Sequence, residues 1–279
     1  MDFYHALTLG IVQGLTEFLP ISSSGHLVLF QSLLGLEEPE LLFDIAVHVG
    51  TLVAVCLFYF RDLKEMVRMV FSKSVWSNNA GGFGKQIKET PEIRLFFLII
   101  VGTVPTVCLG LAFRPIANTL FSSIRIVGFM LVTTGLALWL TRRTQATGRK
   151  TGELTLRDAL YIGVVQGLAI LPGISRSGST IAIGLLRGIN RETAARYSFL
   201  LSIPAILGAL VLGCFDISGA TAHRQATGIM IGGALVAFVV GYLALRILLY
   251  MIQKGRFFIF APYCWLLGTL CVVYSFMTP

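Results

Sequence analysis

One passage of this chain occurs twice, and the repetition constrains the fold more than any other feature. Residues Gly10 to Leu27 read GIVQGLTEFLPISSSGHL, and Gly163 to Thr180 read GVVQGLAILPGISRSGST. Gln13 falls on Gln166, Gly14 on Gly167 and Pro20 on Pro172, and Ile-Ser-x-Ser-Gly recurs at Ile21 to Gly25 and Ile174 to Gly178. Self-similarity at a separation of about 150 residues marks a duplicated architecture. The copies diverge where chemistry is expected. Glu17 and His26 of the first face Ile170 and Ser179 of the second, whereas Arg176 of the second faces Ser23 of the first. One copy carries the acid and the imidazole; the other carries the guanidinium.

The solvent for this duplicated body is set by composition. Of 279 residues, 55% are hydrophobic and only 13% charged, against ~25% charged in an average soluble domain. Apolar runs of membrane-crossing length recur throughout, which predicts an all-α integral membrane protein. The N-terminus, MDFYHALTLG, has neither a basic leader nor a small-residue cleavage site and is not read as a signal peptide. Cys56, Cys108, Cys214, Cys264 and Cys271 are scattered and odd in number, and fit neither a disulfide framework nor a metal spacing. The net charge of +8 does not point to nucleic acid, because the basic residues are placed as topology signals.

After the first motif comes an acidic connector, Leu36 to Glu40, and then an expected span at Leu41–Phe60. Residues 61–94 form a basic loop with a short surface helix and a Gly-Gly-x-Gly at Gly81 to Gly84. Spans follow at Leu95–Phe113 and Ile124–Thr141, and a second basic loop at 142–157. Beyond the second motif, spans are expected near Ala194–Gly213, Thr227–Tyr250 and Phe257–Phe276. Each half is thus one motif plus three crossings, with repeat 1 over about residues 1–141 and repeat 2 over about 156–279 of a single membrane domain.

The motifs themselves do not read as crossings. Each is apolar for a few turns, breaks at Leu-Pro and a Ser/Gly cluster, then turns apolar again. Irregular backbone at membrane depth is tolerated only where protein or a cavity surrounds it. Each motif therefore reads as a re-entrant helix–loop–helix. Three crossings separate the two, so the second enters from the opposite face, and the fold is an inverted-topology repeat. Loop charge supplies the orientation. The 61–94 loop holds seven Lys/Arg, 142–157 five and 246–256 three, and Arg187, Arg191 and Arg196 share their face; Arg114, Arg125 and Arg224 lie opposite. The positive-inside rule puts the basic face in the cytoplasm, both termini outside, and the site opening outward.

Gln13 and Glu17, spaced i, i+4, share one helix face. A carboxylate inside a membrane segment is costly and faces a polar cavity or a partner; bracing of helices by hydrogen bonds is the plainer alternative. Ser22, Ser23, Ser24, Gly25 and His26 supply hydroxyls, a flexible backbone and a ring that titrates near neutrality, although a Ser/Gly cluster is often no more than a turn. In the second motif, Pro172 to Thr180 is a hydroxyl-rich loop opening a helix, whose backbone N–H groups suit an anion. Arg176 adds a fork matching phosphate oxygens; pairing with Glu17 alone is the simpler account. The hydroxyls and glycines exceed what an ion pair needs, and a phosphate group is the expected ligand. Asp44 and His48, also i, i+4, are expected to make hydrogen bonds between helices.

If the two loops meet, Glu17, His26 and Arg176 surround one polar pocket in an apolar body. That arrangement suits a substrate with an anionic head and a hydrocarbon tail. Arg176 and the helix N-terminus would neutralise charge, and His26 would act as general acid or base. Glu17, with Gln13, could hold a divalent cation, Mg²⁺ or Ca²⁺, shared with phosphate oxygens. Ser23, Ser22 or water could attack the phosphorus.

At these residues the chain resembles the undecaprenyl-diphosphatase family, the bacterial membrane enzymes linked to bacitracin resistance. The first family signature stands here as Gln13 to Glu17 followed by Pro20 to His26, and the second as Pro172 to Thr180. The resemblance covers the whole chain. It implies metal-dependent cleavage of undecaprenyl diphosphate to the monophosphate carrier and inorganic phosphate, which recycles the carrier for peptidoglycan synthesis at the bacterial inner membrane. Glu17, Ser23, His26 and Arg176 would be catalytic, and Gln13, Ser22, Ser175, Ser177 and Thr180 would surround the diphosphate. Gln13 stands where other members carry Glu, which weakens the case for a two-carboxylate metal site. The expected partners are the isoprenyl diphosphate lipid, the bilayer and a second copy of the chain as a homodimer. A second family, the lipid phosphatases with Ser-Arg-x5-His-x3-Asp, is excluded, because the required positions hold Ala182 and Leu186. An inverted-repeat transporter or flippase of an isoprenyl phosphate or other anion is the alternative.

Overall fold

The computed structural model describes residues 1–36, 41–72, 87, 89–121, 123–145, 147–217 and 227–277. Most of the acidic connector, the Gly81 to Gly84 run and Arg224 lie outside the described residues. The described chain is all-α apart from short 3₁₀ turns and one isolated backbone bridge between Arg149 and Ile189.

The first motif folds as α1 (Phe3–Phe18) and α2 (Ser23–Leu33), followed by α3 (Leu41–Phe58) and α4 (Phe60–Val70). Then come α5 (Pro91–Phe113), the short α6 (Ala117–Phe121) and α7 (Ile124–Leu140). The second motif folds as α8 (Leu156–Leu168) and α9 (Arg176–Leu186), followed by α10 (Arg191–Ile217), α11 (Thr227–Gln253) and α12 (Ala261–Met277).

Five helical stretches are long and apolar enough to cross a bilayer, at Pro91–Ile116, Ile124–Arg143, Arg191–Gly213, Thr227–Gln253 and Phe257–Met277. A sixth is counted if α3 and α4, bent by 73° at Tyr59, form one broken span. None of the four motif helices belongs to this set. The span expected at Leu41–Phe60 therefore ends earlier, where the sequence turns amphipathic. Arg61, Asp62, Lys64, Glu65 and Arg68 of α4 cannot continue into hydrocarbon, and α4 is the surface helix expected in that loop. At the loop's far end, Pro91 opens α5 one turn before the expected Leu95, a position where its missing N–H costs nothing.

Polarity is distributed inside out. On α11, Leu235, Val239, Leu243 and Ile247 form an exposed apolar stripe at i, i+4 spacing, while Gly233, Ala237, Gly241 and Ala244 face inward. Among the buried residues are Gln13, Glu17, Thr51, Thr106, Thr134, Gln166, Ser198 and Ser202. An apolar exterior around a polar interior is stable only in lipid, and the chain is a multi-pass helical membrane protein.

Small residues let the helices approach closely. A Cβ on Gly10 of α1 would lie 2.7 Å from the Gly233 carbonyl oxygen of α11, and one on Gly163 of α8 would lie 2.1 Å from that of Gly102 in α5. Gly10 and Gly163 occupy matching positions of the repeat. The last helices of the two halves, α7 and α12, meet at Gly128 and Gly268, each with the other's carbonyl 2.7 Å from its Cβ position. The packing is reciprocal: α1 lies on α11, α8 on α5, and α7 on α12.

The basic segments gather at one end. Arg196 pairs with Asp62, Arg94 Nε donates to the Leu154 carbonyl at 2.7 Å, and Arg191 reaches the Thr144 and Gln253 carbonyls. At the same end the buried Asp158 receives Arg149 at 2.5 and 2.9 Å and Arg187 at 2.6 Å, tying the start of α8 to the end of α9.

Candidate active site

The two motifs meet. A Cβ on Gly178 would touch the Pro20 side chain at 3.1 Å, and one on Gly25 would lie 3.6 Å from Gly173 Cα. These glycines allow the turns to pack back to back at the centre of the bundle. The turns are chemically duplicated. Ser22 caps α2 by accepting from Gly25 N at 3.4 Å, and Ser175 caps α9 by accepting from Gly178 N at 3.0 Å. Each cap hydroxyl also lies 3.3 Å from a second one, Ser22 from Ser24 and Ser175 from Ser177. Ser23 to His26 and Arg176 to Ser179 are therefore first helical turns rather than loop. Two helix N-termini open beside one another, where backbone N–H groups and the helix dipoles favour an anion.

Glu17 is the centre of the constellation. Its Oε1 accepts from Arg176 Nη2 at 2.5 Å across the repeat, and its Oε2 accepts from Ser23 Oγ at 2.7 Å and Gln13 Nε2 at 3.2 Å. His48 Nε2 lies 3.9 Å from Oε2. The simpler expectation for Arg176, an ion pair with Glu17, is present, but it uses only one arm of the guanidinium. Arg176 Nη1 and Gln13 Oε1 are buried without a hydrogen-bond partner among the described residues. An unpaired buried donor on a cation, or an unpaired buried acceptor, is costly unless a ligand meets it. The donor suits a phosphate oxygen.

His26 is buried, and both ring nitrogens are engaged. Nδ1 lies 2.8 Å from the Ser22 carbonyl and Nε2 lies 2.7 Å from the Tyr263 hydroxyl on α12. A carbonyl only accepts, so Nδ1 carries the proton, and in the neutral ring Nε2 accepts from Tyr263. The base in direct contact with Ser23 is Glu17.

The remaining expected ligands are largely occupied by the scaffold. Thr180 Oγ1 donates to the Arg176 carbonyl at 2.7 Å and lies 2.5 Å from Ser198 Oγ. Ser175 and Ser177 are buried, with Ser175 Oγ spent on capping α9 and 3.3 Å from Ser177 Oγ. Asp44 makes a bond between helices, accepting from Gln31 Nε2 of α2 at 2.8 Å, while His48 Nδ1 lies 2.7 Å from the Asp44 carbonyl and its Nε2 faces Glu17. Two contributors were not singled out from the sequence. Thr134 of α7 rivets the second turn, receiving Ser175 N and donating to the Gly173 carbonyl, both at 3.0 Å. Tyr263 of α12 anchors the first. A lone Thr or Tyr in an apolar span carries no local signal of either role.

Among the described residues, no group of three or more His, Cys, Asp and Glu could hold a metal ion.

A family model described as bacitracin resistance protein BacA matches residues 6–270. The undecaprenyl-diphosphatase of Desulforapulum autotrophicum is 50% identical over 281 residues, covering 99% of this chain and all of that protein. Proteins of the same description from Desulfatibacillum aliphaticivorans and Halothermothrix orenii are 48% and 42% identical, each over at least 98% of both chains. With the whole bundle and both of its motifs inside these matches, the chain belongs to the bacitracin resistance protein BacA family of undecaprenyl-diphosphatases.

Proposed function

We infer that this chain is a membrane phosphohydrolase that cleaves undecaprenyl diphosphate to undecaprenyl phosphate and inorganic phosphate, so recycling the lipid carrier for cell-wall synthesis. The observation that carries the site assignment is the bond from Arg176 to Glu17 across the repeat, with Arg176 Nη1 left unpaired beside two helix N-termini.

Phosphoryl transfer needs charge neutralisation, an aligned nucleophile and somewhere for its proton to go. Arg176 and the starts of α2 and α9 neutralise the diphosphate. Ser23 Oγ already donates to Glu17, so Glu17 takes its proton as the oxygen attacks the terminal phosphorus. The bond to the bridging oxygen breaks, and undecaprenyl phosphate leaves with that electron pair. Glu17 gives the Ser23 proton to the departing lipid phosphate and, a carboxylate again, takes a proton from the water that attacks the phosphorus on Ser23. The Ser23 Oγ–P bond breaks, Ser23 Oγ takes the proton back from Glu17, and inorganic phosphate leaves. Ser22, Ser175, Ser177 and Thr180 shape the floor under the head group. A divalent cation fits the donors present: the unpaired Gln13 Oε1 and the Glu17 carboxylate are hard oxygen ligands, and substrate oxygens would complete the set. Such an ion, Mg²⁺ or Ca²⁺, would supply further charge neutralisation.

The topology we favour is the inverted repeat with two re-entrant hairpins. At 16 and 11 residues, α1 and α2 are about 24 and 17 Å long, and α8 and α9 at 13 and 11 are no longer; a hydrocarbon core is ~30 Å thick. α1 starts beside the beginning of α11, where Phe3 lies against Gly232, whereas α8 starts in the basic cluster of Arg149 and Arg187. That placement supports entry of the hairpins from opposite faces, with the basic end cytoplasmic and the site opening outward.

The test is phosphate release from a C55 isoprenyl diphosphate by purified protein in detergent, with and without EDTA. The phosphatase releases phosphate with no gradient, and loss of release in EDTA supports the cation. A transporter releases none.

A further inference from the structure

We propose that Tyr263 is a positioning residue of this phosphatase: through His26 it holds the Ser22 turn in the conformation that sets the Ser23 hydroxyl on Glu17. The inference rests on the reading of Ser23 and Glu17 given above.

The need for such a device is visible in the backbone. Ser22 has φ 71° and ψ 100°, and it is the only non-glycine residue with positive φ among the described residues. A side-chain-bearing residue stays there only when its surroundings hold it. The second copy of the motif solves the same problem differently. There, a glycine between Pro172 and Ile174, with no counterpart in the first copy, takes the positive φ at 96°, and Ser175 relaxes to φ −73°. The first copy lacks this glycine and leaves the left-handed turn on the residue immediately before Ser23.

What holds Ser22 is His26. Its backbone N–H and its Nδ1–H both donate to the Ser22 carbonyl, at 3.2 and 2.8 Å. The ring is held in turn by Tyr263, whose hydroxyl lies 2.7 Å from Nε2 and whose ring stacks on the imidazole at 5.7 Å and 12°. Donation from Tyr263 to Nε2 favours the tautomer with the proton on Nδ1, the form needed for the bond to Ser22. The next residue, Cys264, is buried with its Sγ 3.6 Å from the Pro20 carbonyl. The first turn of α12, from the second repeat, therefore grips the first motif's turn at Pro20 and at His26. His26 in this arrangement is a strut of the nucleophile's turn, since its two nitrogens are taken by the Ser22 carbonyl and the Tyr263 hydroxyl.

The experiment uses full-length Tyr263→Phe, which keeps the ring and its stacking and removes only the hydroxyl. Phosphate release from the C55 diphosphate should show kcat lowered about five- to tenfold, the scale of one hydrogen bond, with KM within about twofold of wild type. In parallel, ¹⁵N spectra of histidine-labelled protein, with His26 assigned by the His26→Asn variant, should show wild-type His26 protonated at Nδ1 and its Nε2 signal moved in Tyr263→Phe. The spectrum of the wild type is informative even if a variant fails to fold. Wild-type kcat in Tyr263→Phe, a loss confined to KM, or His26 protonated at Nε2 would overturn the proposal. Full activity in Ser23→Ala would instead overturn the reading on which it rests.

Discussion

At the scale of single residues, the site depends on groups from both halves that must face each other. Arg176 donates to Glu17 with one arm and leaves Nη1 without a hydrogen-bond partner among the described residues. Lysine in its place retains the charge but not the planar fork, so Arg176→Lys should lose at least about 100-fold in kcat, on the scale of a lost oxyanion-type donor. Ser23→Ala removes the attacking oxygen and should be at least as damaging; steady-state phosphate release near the wild-type rate in that variant would contradict attack by Ser23. The acid, the arginine and the serines could be named from the sequence because their residue types are out of place in an apolar chain. The partners of His26 could not. Tyr263 stands 237 positions away on a helix that reads as ordinary membrane sequence, and only packing brings it to Nε2.

At the scale of elements, backbone contact between small residues positions the hairpins. Gly163→Val would drive a side chain into the Gly102 carbonyl, 2.1 Å from the Cβ position, and should lower the melting temperature in detergent by several degrees or prevent folding. Gly208 has nothing within 4 Å of its Cβ position, and Gly208→Ala should leave melting unchanged. The base of the second hairpin depends on Asp158. Asp158→Asn removes the acceptor charge of Arg149 and Arg187 together, and should destabilise by about 2 kcal/mol. That is less than the ~3–5 kcal/mol for breaking a fully buried pair, because both guanidiniums keep access to water. Thermal unfolding followed by tryptophan fluorescence would measure both effects. Five spans were legible as apolar runs within a few residues of their ends. The 73° bend at Tyr59 was not, because the amphipathic period of α4 begins inside a run that still looks apolar up to Phe60. The glycine contacts were also hidden: Gly10 and Gly163 were visible as repeated residues, but the carbonyls they meet lie in other spans.

At the scale of the whole molecule, duplication places an acid and the arginine that pairs with it in separate copies and lets the fold unite them. The reciprocal packing of α1 on α11 and α8 on α5 is what brings the two turns to the centre. Orientation is testable at this scale. Single cysteines introduced at Lys150 and at Phe3 should label from opposite sides of sealed vesicles, Lys150 from the cytoplasmic side; labelling of both from one side would refute the inverted arrangement. The most direct measurement is phosphate release from a C55 isoprenyl diphosphate by purified wild type beside Arg176→Ala, each shown to be folded by its melting transition. The account predicts release by the wild type and at least a 100-fold loss in the variant. Comparable rates in the two proteins would contradict it, because the guanidinium that joins the repeats would then have no part in the chemistry.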